Sequence, residues 1–80
     1  METENIKKLI ADGLPCEALE VAGDGRHFEA LIVSAAFAGK SRVQRQQAVN
    51  ALLRPWFDSG ELHALSMKTL TPGEWSGGNG

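Results

Sequence analysis

Three side chains of this sequence could bind a metal ion or act as a nucleophile: Cys16, His27 and His63. They are far apart along the chain, and no other histidine or cysteine lies near His63. Imidazole is a common metal ligand, although a lone histidine is more often an ordinary surface residue. A closed zinc site or an iron–sulfur cluster requires four ligands, so a partner molecule would have to complete any site built from these residues.

Cys16 is a weak candidate for catalysis. A cysteine nucleophile needs a base, an orienting group and an oxyanion site, and the sequence indicates none of them. Asp24, Glu29 and Glu74 form no paired arrangement that would suggest acid–base chemistry. Cys16 is more simply interpreted as a small buried apolar side chain. We therefore expect a protein that is not an enzyme.

Length and composition predict one small domain. The chain has 80 residues, 42% of them hydrophobic, which is enough for a single core. A chain of this size buries only about 60% of its unfolded surface, which leaves little room for a deep pocket. The single cysteine excludes an internal disulfide, and neither a signal peptide nor a membrane span is recognisable. We expect a domain over residues 1–75, a disordered Gly-rich tail over 76–80, and a cytoplasmic location without membrane attachment.

Positive charge is concentrated in one stretch, although the net charge is -2. No acidic residue lies between positions 29 and 58. That interval holds half of the lysines and arginines: Lys40, Arg42, Arg45 and Arg54. The helix predicted here should expose its first turn, because Arg42 and Arg45 would otherwise be buried without partners. Lys40, Arg42, Arg45 and Lys68 are the candidate contacts for a partner protein or nucleic acid.

The first half of the chain predicts a helix and a hairpin. Thr3 can cap a helix that ends near Gly13, and its apolar residues follow helical spacing. Two strands follow, over residues 16–22 and 28–34, because each run is apolar and the glycines at 23 and 25 separate them. The loop between these strands carries Arg26 and His27.

The second half predicts a long helix, a third strand and a last helix. Ser41 is a natural N-cap, and Pro55 should kink the helix or start a new turn. The third strand is expected over residues 62–69, with His63 and Leu65 on one face and Leu62 on the other. A helical crossover makes this strand parallel to the second. Residues 71–74 form a capping box, after which Trp75 can fold back on the core.

Several segments, taken in order from about Glu20 to Trp75, resemble the BolA family. They are His27-Phe28, Ile32-Val33-Ser34, the run from Phe37 to Arg45, the run from His63 to Thr69, and the run from Thr71 to Trp75. The elements Phe-x-Gly-Lys-Ser and His-Ala-x-Ser-x-Lys-Thr-x-Thr-Pro-x-Glu-Trp are specific when they occur together. The resemblance implies an α+β fold of the class II KH type. The order is α-β-β-α-β-α, with a three-stranded mixed sheet and helices packed on one side.

The resemblance also implies a cofactor and a partner. A BolA-like protein pairs with a monothiol glutaredoxin, and the two share a [2Fe-2S] cluster. The glutaredoxin cysteine, a glutathione thiol and two residues of the BolA-like protein hold that cluster. His63 matches the family's C-terminal ligand, and His27 maps onto the ligand in the loop between the first two strands. The isolated chain is expected to hold no cofactor and to be a monomer or weak homodimer.

A second function remains open at this point. Some BolA-like proteins are described as transcriptional regulators, with the exposed helix region as the DNA surface. This chain has Arg45-Gln46-Gln47 where many relatives have Arg-His-Arg, a feature that resembles a bacterial acid-response subgroup. The negative net charge and the few cations predict weak DNA binding that depends strongly on salt.

Overall fold

The computed structural model describes residues 1–77, and its elements follow the predicted order. They are α1 (Thr3–Gly13), β1 (Ala18–Gly23), β2 (His27–Val33), a short 3-10 turn (Ala35–Phe37), α2 (Arg42–Ser59), β3 (Ala64–Leu70) and α3 (Pro72–Gly77). The tail expected over 76–80 begins inside α3, whose last residues are Ser76 and Gly77. The rest of that tail lies outside the described residues.

The three strands form one mixed sheet in the order β1-β2-β3. β1 and β2 are antiparallel, which confirms the hairpin. β2 and β3 are parallel, as the helical crossover predicted. The α+β fold is therefore the predicted one, and β2 is the central strand.

One face of the sheet packs against α1 and α2 and forms the core. Alternate residues of β2 point into this layer because side chains alternate along a strand. The core consists of Ile6, Ile10, Phe28, Ala30, Ile32, Phe37, Val49, Leu53 and Leu62. Gly13 lies so close to the Leu52 side chain that an added Cβ would overlap it, which lets the two helices approach closely.

Two local predictions differ from the structure. No new turn begins at Pro55, because the second helix runs through this residue to Ser59. Trp56 and Phe57, just after the proline, pack against the core, and this burial offsets the lost backbone hydrogen bond. Trp75 is also not folded into the core. It remains 38% exposed and lies beside Leu31 and Lys68, on the sheet face opposite α1 and α2.

No helix within residues 1–77 combines the length and the apolar character that crossing a bilayer would require.

Candidate functional site

His27 and His63 are brought together at one end of the sheet. β2 begins at His27, whose register partner in the parallel ladder is Ala64, the first residue of β3. His63 immediately precedes that partner, and both histidines are exposed. Neighbouring strands lie about 4.8 Å apart, so the two backbones reach the same edge side by side. The histidines are distant in sequence, and the parallel pairing of their strands makes them neighbours.

The turn before His27 is fixed by Asp24. Its Oδ1 accepts hydrogen bonds from the backbone N–H groups of Arg26 and His27, each at 2.9 Å. The Asp24 N–H donates in turn to the His27 carbonyl at 3.3 Å. The hydrogen bonds that the carboxylate accepts from the N–H groups of His27 and Arg26 lower the pKa of Asp24. The carboxylate thus holds the backbone of His27 at the start of β2.

The glycine that ends β1 allows this turn to close tightly. A Cβ added to Gly23 would overlap the Phe28 ring and lie 2.6 Å from the His27 carbonyl oxygen. Gly25 has a φ of +97°, a conformation that favours glycine. Both glycines of the Gly-Asp-Gly loop therefore help to shape the segment that presents His27.

His63 follows a buried anchor. Leu62 is only 1% exposed and belongs to the core, and its N–H donates to the Trp56 carbonyl at 3.0 Å. The prediction that put Leu62 on the face opposite Leu65 was wrong, because both side chains pack in the core and β3 begins two residues after Leu62, at Ala64. The bond to the end of α2 turns the Leu62 side chain inward. His63 is thus exposed between a fixed core residue and the first residue of β3.

Cys16 lies at the opposite end of the sheet and does not join the histidines. Its neighbour Glu17 donates from its N–H to the carbonyl of Val33, the last residue of β2, at 2.8 Å. β2 separates that point from His27 by about 20 Å, at 3.3 Å per residue. Burial raises the pKa of the Cys16 thiol, whose Sγ donates to the Leu14 carbonyl. This environment disfavours the reactive thiolate.

Two histidines are a suitable set of donor groups for half of a shared cluster site. Within residues 1–77, no group of three or more His, Cys, Asp or Glu residues is placed to hold a metal ion. Two nitrogen donors at one edge match the histidine pair that can replace two thiolates on one iron of a [2Fe-2S] centre. The remaining two ligands would have to come from another molecule.

Arg45 is not available as a surface cation. Its side chain is only 12% exposed and lies over the Phe37 ring, 5.8 Å from the centroid. Its guanidinium donates to the carbonyls of Lys40 and Thr69, both at 3.0 Å, and to Glu74 Oε1 at 2.7 Å. The sequence prediction of an exposed first turn therefore fails at Arg45, because Glu74 and two carbonyls satisfy the buried charge.

The candidate cations do not lie on one surface. Lys40 and Arg42 are exposed at the start of α2, which the Arg45 contact with Thr69 places near the end of β3. Lys68 lies on the open face of the sheet, which is the face opposite α1 and α2. It lines a shallow depression together with Glu20 and Glu29. The histidines are at the other end of the sheet. We call that end, where His27 and His63 lie, the histidine edge, and Lys40 and Arg42 cannot contribute to it.

Sequence reasoning missed two contributors to this arrangement. Asp24 was treated as a loop residue, although Asp-Gly between two apolar runs is a signal for a hairpin turn ordered by a carboxylate. The pairing of Glu74 with Arg45 had no local signal, since 29 positions separate the two residues.

Comparison with known proteins agrees with this architecture. Residues 10–74 match the family model described as BolA-like protein. The acid stress protein IbaG of Escherichia coli (strain K12) is 37% identical over 76 residues, which cover 95% of this chain and 90% of that protein. A bol-like protein from Babesia bovis has a crystal structure that superposes with a TM-score of 0.87 at 32% identity, covering 100% of this chain and 95% of the other. The BolA domain of SufE1 from Arabidopsis thaliana gives 0.81 at 38% identity, with 90% and 93% covered. The predicted resemblance is thereby confirmed, and this chain belongs to the BolA-like protein family.

Proposed function

We propose that this chain is a non-enzymatic adaptor that shares a [2Fe-2S] cluster with a monothiol glutaredoxin, to which it contributes His63 and His27. The observation that carries the proposal is the pairing of β2 with β3. It places the two exposed histidines at one edge of the sheet, with His27 in register with Ala64. Membership of the BolA-like family supports the same function.

The chain's own part in this function is to present two nitrogen donors. Asp24 fixes the backbone of His27, and buried Leu62 fixes the position of His63. Histidine ligation at one iron raises the reduction potential of such a cluster relative to all-thiolate ligation. The chain thus favours a cluster that accepts electrons more readily.

The thiolate ligands must come from the partner. Cys16 is about 20 Å from the histidine edge along β2, so it cannot reach the same cluster. The glutaredoxin cysteine and glutathione would supply the two thiolates. The arrangement thus explains why a partner is part of the proposed function.

The alternative function, a DNA-binding regulator, receives less support from the geometry. Arg45 is held by Glu74 and backbone carbonyls, and Lys68 shares its surroundings with two glutamates. Only Lys40 and Arg42 remain together at the start of α2, which is few contacts for a phosphate backbone.

The test is co-expression with a monothiol glutaredoxin, followed by absorption and visible circular dichroism of the purified complex. We expect a coloured heterodimer whose dichroism changes when His63→Ala or His27→Ala is introduced. Gln47→Ala, an exposed polar substitution on α2, is the matched control and should leave the spectrum unchanged. A spectrum that is identical in the wild type and both histidine variants would disprove the ligand assignment.

A further inference from the structure

An open depression of about 300 Å³ lies between α1 and the end of α2. It is lined by Met1, Asn5, Lys8, Leu9, Trp56 and Glu61, and we call it the α1–α2 groove. Its apolar members, Met1, Leu9 and Trp56, are half-buried and pack on the core. Its volume is at the lower limit for small-molecule pockets, so it suits one protruding side chain better than a small ligand.

The α1–α2 groove adjoins the histidine edge. Glu61, on its rim, is two residues from His63. Met1 lines this groove and also a second depression beneath the hairpin turn, together with Gly23 and Gly25. The surface is therefore continuous from the segment before His63 to the turn before His27. A protein that approaches both histidines would cover part of the groove.

The rim of the groove next to His63 is negative. Glu61 is exposed, and its carboxylate makes no hydrogen bond or ion pair to any residue that the structure describes. On the far rim, Lys8 is paired with Asp12 at 3.4 Å. The unpaired charge on this rim therefore favours a cation.

We propose that the α1–α2 groove is the docking site for the glutaredoxin. It receives an apolar side chain of the partner, and Glu61 contacts a lysine or arginine beside that side chain. This inference rests on the proposed function, because the occupant is the protein that brings the shared cluster to the histidines. Its additional content is the contact surface and the charge of the partner.

The first experiment measures association rates of the purified chain with a monothiol glutaredoxin that carries its cluster and glutathione. Charge complementarity acts mainly on association rates and weakens with salt. Glu61→Lys should lower the association rate about tenfold at low salt and much less at high salt. Glu17→Lys makes the same charge change at the opposite end of the sheet and should change the rate by less than about twofold. Equal effects of the two substitutions would overturn the docking site.

The second experiment reports on the groove directly. The chain has two tryptophans, Trp56 in the groove and Trp75 on the open sheet face. Labelling this chain alone with 5-fluorotryptophan gives two ¹⁹F resonances, which Trp75→Phe assigns. Unlabelled glutaredoxin should shift the Trp56 resonance and leave that of Trp75 in place. A shift of Trp75 alone would place the partner on the other face.

The outcomes separate the two proposals. If the complex forms and His63→Ala alters the cluster, but the Trp56 resonance and the Glu61→Lys rate are unchanged, the docking site is wrong and the proposed function stands. If the wild-type chain forms no complex, both proposals fail.

Discussion

The Arg45 guanidinium lies 2.7 Å from Glu74 Oε1 and joins the first turn of α2 to α3. The same carboxylate accepts a hydrogen bond from the Thr71 N–H at 2.8 Å and so closes the capping box of α3. Glu74 thus serves both the start of its own helix and the charge of a distant arginine. The Arg45 bond to the Thr69 carbonyl connects β3 to the same cluster.

This shared carboxylate predicts how stability depends on acid. Hydrogen bonds from Arg45 and from the Thr71 backbone lower the pKa of Glu74 from 4.5 to about 2. Because the folded pKa is the lower one, the ionised carboxylate stabilises the fold fully above about pH 4.5, and this contribution is lost as the pH falls toward 2. We expect the wild type to be more stable than Glu74→Gln at neutral pH and the difference to shrink between pH 4.5 and 2. Urea unfolding of both proteins from neutral pH down to pH 2 measures this difference in stability.

Glu17→Gln is the control for this measurement. Glu17 is exposed and its carboxylate makes no ion pair with the described residues. A difference between wild type and Glu74→Gln that stayed constant from neutral pH to pH 2 would show that the Glu74 charge does not contribute to folding.

Arg45→Lys should destabilise the protein although the charge is kept. The guanidinium reaches the Lys40 and Thr69 carbonyls and Glu74 together, and a single ammonium group cannot reproduce this fork. Losing the charged hydrogen bonds to the two carbonyls should lower the free energy of unfolding by about 2 kcal/mol. Arg42→Lys, at an exposed position on the same turn, should change it by less than about 0.5 kcal/mol. Similar values for the two variants would contradict the buried role of Arg45.

Order and pairing of the elements could be predicted because they depend on local signals. Ser41 caps α2 and bonds to the Gln44 N–H as expected, and the helical crossover made β2 and β3 parallel. Arg45 shows the limit of such reasoning. Its spacing correctly placed it on the core side of α2. Only the folded chain brings Glu74 close enough to satisfy the charge of Arg45. The burial of Arg45 could therefore not be predicted from the sequence.

The same limit applies to the histidine edge. The family motif made His63 a candidate ligand, but the structural setting of this residue depends on where β3 begins. Strict alternation from residue 62 would place Leu62 on the open face. In the fold, the bond from its N–H to the Trp56 carbonyl turns it into the core. A tertiary contact with the end of α2 therefore overrides the two-residue period just before the strand.

The substitution Leu62→Ala tests whether Leu62 anchors the segment before His63. Because Leu62 is fully packed in the core, the substitution should cost about 2–5 kcal/mol of unfolding free energy. Leu31→Ala, at a half-buried position on the open sheet face, is the matched control and should cost less. Urea unfolding with both variants gives the comparison. A Leu62→Ala cost equal to or below that of Leu31→Ala would mean that Leu62 does not anchor the segment before His63.

If His27 is a cluster ligand, as proposed, Asp24 should affect how it binds the cluster, because Asp24 orders the backbone of His27. Its Oδ1 holds the N–H groups of Arg26 and His27 at 2.9 Å. Asp24→Ala removes this acceptor, whereas Asp24→Asn keeps an oxygen at the same position. In the complex with a monothiol glutaredoxin, we expect Asp24→Ala to alter the visible dichroism of the cluster and to speed its loss. Asp24→Asn should restore most of the wild-type signal.

The double variant separates positioning from a general loss of stability. If Asp24 acts through His27, then Asp24→Ala should have no further effect on the cluster spectrum once His27→Ala is present, since the residue that Asp24 positions is already gone. Additive spectral changes would show that Asp24 influences the cluster by another route. Thermal unfolding of the uncomplexed variants provides the reference, because a merely structural role would lower the melting temperature without this dependence on His27.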